Sequence, residues 1–388
     1  MRSGVSASPH VSESTQPVDI RIRGFVPNKP AIVRVEARDA SGRRWVATAS
    51  YETNKHGNID TATFPALSGS YSGVWAMGLV ATMQPKPAPR ADVSFRWPDG
   101  RRQPFQVTAV QGAKRFALTI ERELGDVSLL RANTTVRHDG FLGAYYAPAA
   151  ERHHEALLVF GGSEGGLASR QMAASFAANG YPALALAYFG APGLPQTLTD
   201  VPLEYFVRAL RWLEAQPQVD ASRVFVLGVS RGSEAAQLLG VHFPKLVHGV
   251  VAVVPSDFVN CAYPICNGSA WTLNGVPLPY EPRFGTLAPV DTPAARIPDE
   301  RIRGPILFVC AALDEDWPSC PYSHIALTIL RNDAYPHELI EAPSAYHGLG
   351  ALVPYEPSTG MTNGQERLNE RGREGIWPQV LAFLHQNG

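Results

Sequence analysis

Val224-Phe225-Val226-Leu227-Gly228-Val229-Ser230-Arg231-Gly232-Ser233-Glu234 is the stretch on which the reading of this chain turns. An apolar run ends in Gly-x-Ser-x-Gly, and a segment of helical character follows at once. A glycine on each side leaves room for a strand to turn sharply into a helix. Ser230 is then expected at the carboxyl edge of a sheet with its hydroxyl pushed outward. The next amide, that of Arg231, faces the same space at the positive end of the helix, where it suits a developing oxyanion. Glu234 lies one turn further on and reads as a buried hydrogen-bonding anchor for the helix.

Working outward, apolar strands alternate with amphipathic helices. Leu157 to Phe160 precedes a Gly-rich turn and a helix over 169–178, and the run Ala183 to Phe189 precedes a helix over 203–215 with Phe206, Leu210 and Leu213 on one face. After the elbow come GVVAVVP, PILFVCA, a helix from His324 to Leu330, ELIEA, and a terminal helix bearing Trp377, Leu381 and Leu384. This is βαβ logic, so the fold class is α/β with a mostly parallel sheet.

A serine hydroxyl needs a general base at neutral pH, and on an elbow of this kind the partners follow in the order acid, then histidine. Asp314, in LDEDWPS just past the strand PILFVCA, is the expected acid; Asp316 is its rival at the same turn, and Glu315 is read as solvated. His347, in AYHGLG between ELIEA and the last helix, is the expected base. The second oxyanion donor is expected from the turn FGGSEGG, at the amide of Ser163. That turn lacks G-x-G-x-x-G and a following Lys-Ser/Thr, which argues against a nucleotide cradle. Glu164 beside it is read as a first-turn carboxylate facing the helix dipole. Together these features predict an α/β-hydrolase fold.

Upstream the pattern changes. From Val18 to about Arg115 short β-type segments (VDIRIRGF, AIVRVEARD, RWVATASYET, ADVSFRWP) are split by turn signals, as in an antiparallel, immunoglobulin-like β-sandwich. Residues 1–17 are Ser-rich with no apolar core and are expected to be a disordered tail. The expected domains are thus 18–135, a sandwich with transition strands (FALTIERE, TTVRHDG), and 136–388, the hydrolase domain.

Bulk properties narrow the partners. With 34 Lys plus Arg against 35 acidic residues the net charge is -1, and no basic stripe offers itself to nucleic acid. No apolar run approaches the roughly 18 residues of a membrane span. The four cysteines pair in sequence, Cys261 with Cys266 and Cys310 with Cys320, without zinc-ligand spacing, so no metal is expected. Free buried thiols and a cytoplasmic location are the expectation; disulfides would instead indicate a periplasmic or secreted protein.

The ordered set GSYSGVWAMGLVATMQP (Gly69 to Pro85), FGGSEGG, LALAYFGAPGLP, GVSRGSE, SAWTLNGVPLPY, LDEDWPS and AYHGLG resembles the family of type I acyl-CoA thioesterases and bile acid-CoA:amino acid N-acyltransferases. The resemblance covers nearly the whole chain. It implies a Ser or Cys nucleophile that takes an acyl group from a thioester and passes it to water or an amine, without a cofactor. Ser230 stands where the conjugating enzymes look to have Cys. A serine acyl-enzyme is an oxyester that activated water hydrolyses, so the resemblance implies hydrolysis of a small-molecule acyl thioester or ester.

Overall fold

A computed structural model describes residues 3–90, 93–149, 154–283, 286, 288–289 and 292–388. The chain divides into two compact units, Met1–Val127 with Val353–Glu370, and Ser128–Leu352 with Arg371–Gly388.

The second unit is built on an eight-stranded sheet. In chain order its strands are β1 (Leu130–Thr134), β2 (Leu142–Ala147), β3 (His154–Phe160), β4 (Ala183–Ala187), β5 (Val219–Val229), β6 (Gly249–Val253), β7 (Ile306–Ala311) and β8 (His337–Ala342). Their spatial order is β1-β2-β4-β3-β5-β6-β7-β8. β1 and β2 pair antiparallel with each other and β2 antiparallel with β4, whereas β4, β3 and β5 to β8 run parallel. Strands β4, β6 and β7 are buried at every residue, as expected of a parallel sheet covered on both faces. Helices α1 (Arg170–Ala178), α2 (Leu203–Glu214), α3 (Arg231–His242), α4 (Ser319–Leu330) and α5 (Gly364–Asn387) supply the cover, α5 from Arg371 onward. On α2 the predicted stripe Phe206, Leu210 and Leu213 is fully buried. The α/β architecture with a mostly parallel sheet is as the sequence pattern predicts.

The first unit has a three-stranded sheet (Gly4–Ser8, Asp19–Arg23, Ile59–Asp60) and a seven-stranded one built around Pro30–Arg38, Arg44–Glu52, Gln103–Gln111 and Lys114–Glu123. Strict alternation buries Val33, Val35, Ala47 and Tyr51 and turns their neighbours outward, the sandwich pattern expected.

Several boundaries differ from expectation. Of the tail expected over 1–17, residues 1 and 2 lie outside the described residues and the rest is not disordered: Gly4–Ser8 pairs antiparallel with Asp19–Arg23, and Val11–Glu13 runs parallel to Glu121–Glu123. The cause is long-range. Arg122 is fully buried and donates to Ser12 Oγ (3.0 Å), Gln16 O (3.1 Å) and Ser14 O (2.6 Å), fastening the Ser-rich segment. The domain boundary expected at 135/136 lies earlier, because Leu130–Thr134 pairs with β2. Val136–Asp139 in TTVRHDG is one helical turn capped by Thr135. The expected strand ADVSFRWP opens at residues 91 and 92, outside the described residues, and from Val93 it is irregular apart from one bridge, Ser94 to Ser358.

The free-thiol expectation is overturned. Cys261–Cys266 and Cys310–Cys320 are disulfides, with Cα atoms 5.1 and 5.0 Å apart. The second pair forms because the turn after β7 folds the first turn of α4 back beside the strand, where Ser319 Oγ lies 3.4 Å from the Ala311 backbone.

Candidate active site

β5 delivers Ser230 at its carboxyl end with φ 55° and ψ -123°, a conformation that L side chains rarely adopt. Its amide is held by Val253 O on β6 (2.9 Å). The flanking glycines are steric necessities: a Cβ on Gly228 would overlap the Gly232 carbonyl oxygen, and one on Gly232 the Gly161 carbonyl oxygen. Gly162 is equally constrained, since a Cβ there would lie 2.8 Å from Ser230 Cβ and 3.2 Å from Ser230 Oγ. The turn after β3 therefore abuts the serine, with Ser163 next in line.

The turn after β7 supplies Asp314 and the loop after β8 supplies His347. The Ser230 hydroxyl donates to His347 Nε2 across 2.9 Å, and His347 Nδ1–H donates to Asp314 Oδ1 across 2.8 Å. Asp314 has a 1% exposed side chain, and its Oδ1 also accepts from the amides of Asp316 (3.1 Å) and Trp317 (3.3 Å). Asp316, the rival, is 51% exposed and lies on the other side of the ring, its Oδ2 3.5 Å from His347 Nε2. Burial by itself would lower the imidazole pKa. The hydrogen bond and charge of Asp314, with the charges of Asp316 and Glu315, outweigh it and hold His347 above its ordinary 6.5.

Other residues were not legible in the sequence as parts of this site. Glu315 is not merely solvated, since its Oε2 accepts the His347 amide at 2.9 Å. Trp317 packs edge-on against the imidazole, ring centres 5.2 Å apart, and donates Nε1–H to Val254 O. Glu164 does not simply face the dipole: both its oxygens accept the Gly162 amide, at 3.0 and 2.9 Å. Tyr188, just past β4, donates its buried hydroxyl to the carbonyls of Gly161 (2.8 Å) and Gly162 (3.0 Å). Burial raises its pKa well above the ordinary value, which keeps it a donor. Its only sequence signal was a polar tip at the end of an apolar strand.

Glu234 is the buried anchor expected. One oxygen accepts from Arg231 Nε (2.7 Å) and Asn260 Nδ2 (2.9 Å), the other from Trp271 Nε1 (2.8 Å) and the Asn260 amide (3.2 Å). Arg231 Nη2 in turn donates to the carbonyls of Asn260 (2.9 Å) and Cys261 (2.8 Å), and both charged side chains are fully buried. The first turn of α3 is thereby tied to the segment between β6 and β7.

Strand order, a positive-φ serine between β5 and its helix, an acid after β7 and a histidine after β8 define an α/β-hydrolase. Two family models match, one described as the acyl-CoA thioester hydrolase/BAAT N-terminal region over residues 15–125 and the other as the BAAT/acyl-CoA thioester hydrolase C terminal over residues 201–387. The chain belongs to the acyl-CoA thioester hydrolase/BAAT family. It is 29% identical to acyl-coenzyme A thioesterase 6 of Mus musculus, over 96% of this chain and 93% of that protein. It is 28% identical to the peroxisomal succinyl-coenzyme A thioesterase of Mus musculus (95% and 93%) and 26% identical to acyl-coenzyme A thioesterase 1 of Rattus norvegicus (96% and 93%).

Proposed function

We propose that the protein hydrolyses acyl-CoA thioesters to the free acid and the thiol through an acyl-enzyme on Ser230. The observation that carries this is the hydrogen-bonded line from Ser230 Oγ to His347 to Asp314, at 2.9 and 2.8 Å, within a chain of this family. His347 takes the Ser230 proton as Oγ attacks the thioester carbonyl, and Asp314 stabilises the imidazolium that forms. The amides of Arg231 and Ser163 receive the oxyanion. Collapse breaks the C–S bond and the imidazolium returns its proton to the leaving thiolate. Water, deprotonated by His347, then attacks the oxyester, and the acid leaves as Ser230 is reprotonated. The chemistry calls on no cofactor.

The disulfides favour a second reading. In an oxidising compartment, periplasmic or extracellular, CoA is scarce, and the same machinery would act on an ester or amide. The purified protein is assayed on matched acyl-CoA thioesters and acyl esters, following thiol and acid. Ser230-dependent thiol release at a kcat/KM well above that for esters supports the first reading. Cleavage of esters alone replaces it with the second. Added amine or alcohol acceptors that divert the acyl group from free acid would mark a transferase.

A further inference from the structure

Three carboxylates besides Asp314 lie around the Ser230–His347 pair. Asp316 Oδ2 is 3.5 Å from the same His347 nitrogen that faces Ser230 Oγ. Glu315 holds the His347 amide and Glu164 the Gly162 amide. Among the described residues no Lys or Arg approaches any of these three carboxylates within 4.0 Å. Arg231, next to the nucleophile, is buried against Glu234.

We propose that Asp316 makes the site select against acyl groups that carry their own negative charge, so that neutral monocarboxylic acyl groups are accepted and short ω-carboxylate (dicarboxylic) ones are refused. The inference rests on the reading of Ser230 as nucleophile. In the acyl-enzyme the carbonyl carbon is one bond from Oγ, and the Asp316 carboxylate is separated from Oγ by at most the 2.9 and 3.5 Å steps through Nε2. The length of a short acyl chain confines its ω-carboxylate to the neighbourhood of Oγ, and so of Asp316. The repulsion acts in the bound and transition states and is absent for the neutral chain, so it is expressed as specificity. Because Asp316 is half-exposed, solvent and salt screen the effect, which sets it on the order of 10-fold.

The test is kcat/KM for thiol release from hexanoyl-CoA and from the six-carbon dicarboxylic acyl-CoA, with wild type and Asp316→Asn, at low and high salt. The corresponding pair of 4-nitrophenyl esters is run alongside, with Ser230→Ala as control. Wild type should prefer the neutral chain by on the order of 10-fold or more, Asp316→Asn should shrink that preference by a similar factor, and salt should shrink it in wild type only. Equal use of both chains by wild type, or an unchanged ratio in Asp316→Asn, overturns the proposal; an equal loss on both substrates makes Asp316 a positioning residue for His347 instead. If only the esters are cleaved, the thioesterase reading fails while the charge ratio is still read on them. Activity surviving in Ser230→Ala, or no cleavage of any substrate, removes the nucleophile reading and the proposal with it.

Discussion

Replacing Glu234 with Ala leaves the Arg231 guanidinium in a fully buried site without its carboxylate, and strips partners from Asn260 and from Trp271 Nε1. Breaking a buried ion pair from one side costs about 3–5 kcal/mol, because the remaining charge has no solvent to turn to. For a unit of this size that lowers Tm by roughly 10 °C. The double variant Arg231→Met/Glu234→Leu removes both charges and fills the space with apolar side chains, so it should recover most of the loss, although the carbonyls of Asn260 and Cys261 lose a donor. Urea and thermal unfolding followed by circular dichroism measure wild type, Glu234→Ala and the double variant. A Glu234→Ala protein within about 1 kcal/mol of wild type, or a double variant no more stable than Glu234→Ala, would refute the unpaired-charge argument.

Three further outcomes follow. His347 must be neutral to act as a base and its pKa is raised, so kcat/KM should fall as pH drops through a midpoint above 6.5, and a wild-type midpoint below 6.5 would contradict this; Asp316→Asn should move the midpoint to lower pH and Asp314→Asn should cut kcat by orders of magnitude, which an Asp314→Asn enzyme of near wild-type kcat would contradict. Gly162→Ala places a methyl 2.8 Å from Ser230 Cβ, so the turn must shift, and it should cost about 100-fold in kcat, whereas wild-type kinetics would show the turn to be remote from the reaction. Burial, with the charge of Glu300 and against that of Arg296, holds Asp257 up at about 7. A carboxyl raised on folding gives its stability below the unfolded pKa and loses it as pH rises through about 7, so Asp257→Asn should stabilise the protein at pH 8 and do nothing near pH 4; a pH-independent effect would disprove this.

What the sequence made legible was what local pattern encodes. The glycines around Ser230 announce a tight strand-to-helix turn, the apolar runs of β4, β6 and β7 announce a doubly covered sheet, and strand order leaves Asp314 and His347 at its carboxyl edge. The rest depends on contacts between distant segments. The Ser-rich residues 4–13 carry no periodicity that reveals their pairing, which Arg122 secures from more than a hundred residues away. Asn260 and Trp271 lie in an irregular stretch and acquire meaning only when they close on Glu234. Glu315 and Asp316 look alike in LDEDWPS, yet one binds the His347 backbone and the other faces its Nε2. Cysteine spacing alone did not separate thiols from disulfides, because the Cα approach is set by the folded turns.

The account is tested most directly by thiol release from an acyl-CoA by wild type and Ser230→Ala, with trapping of the acyl-enzyme by rapid quench and mass measurement. The prediction is rapid release by wild type, an acyl adduct on the peptide containing Ser230, and loss of both in a variant that keeps the wild-type Tm within a few degrees. Undiminished thiol release by Ser230→Ala, or an adduct on another residue, would contradict it.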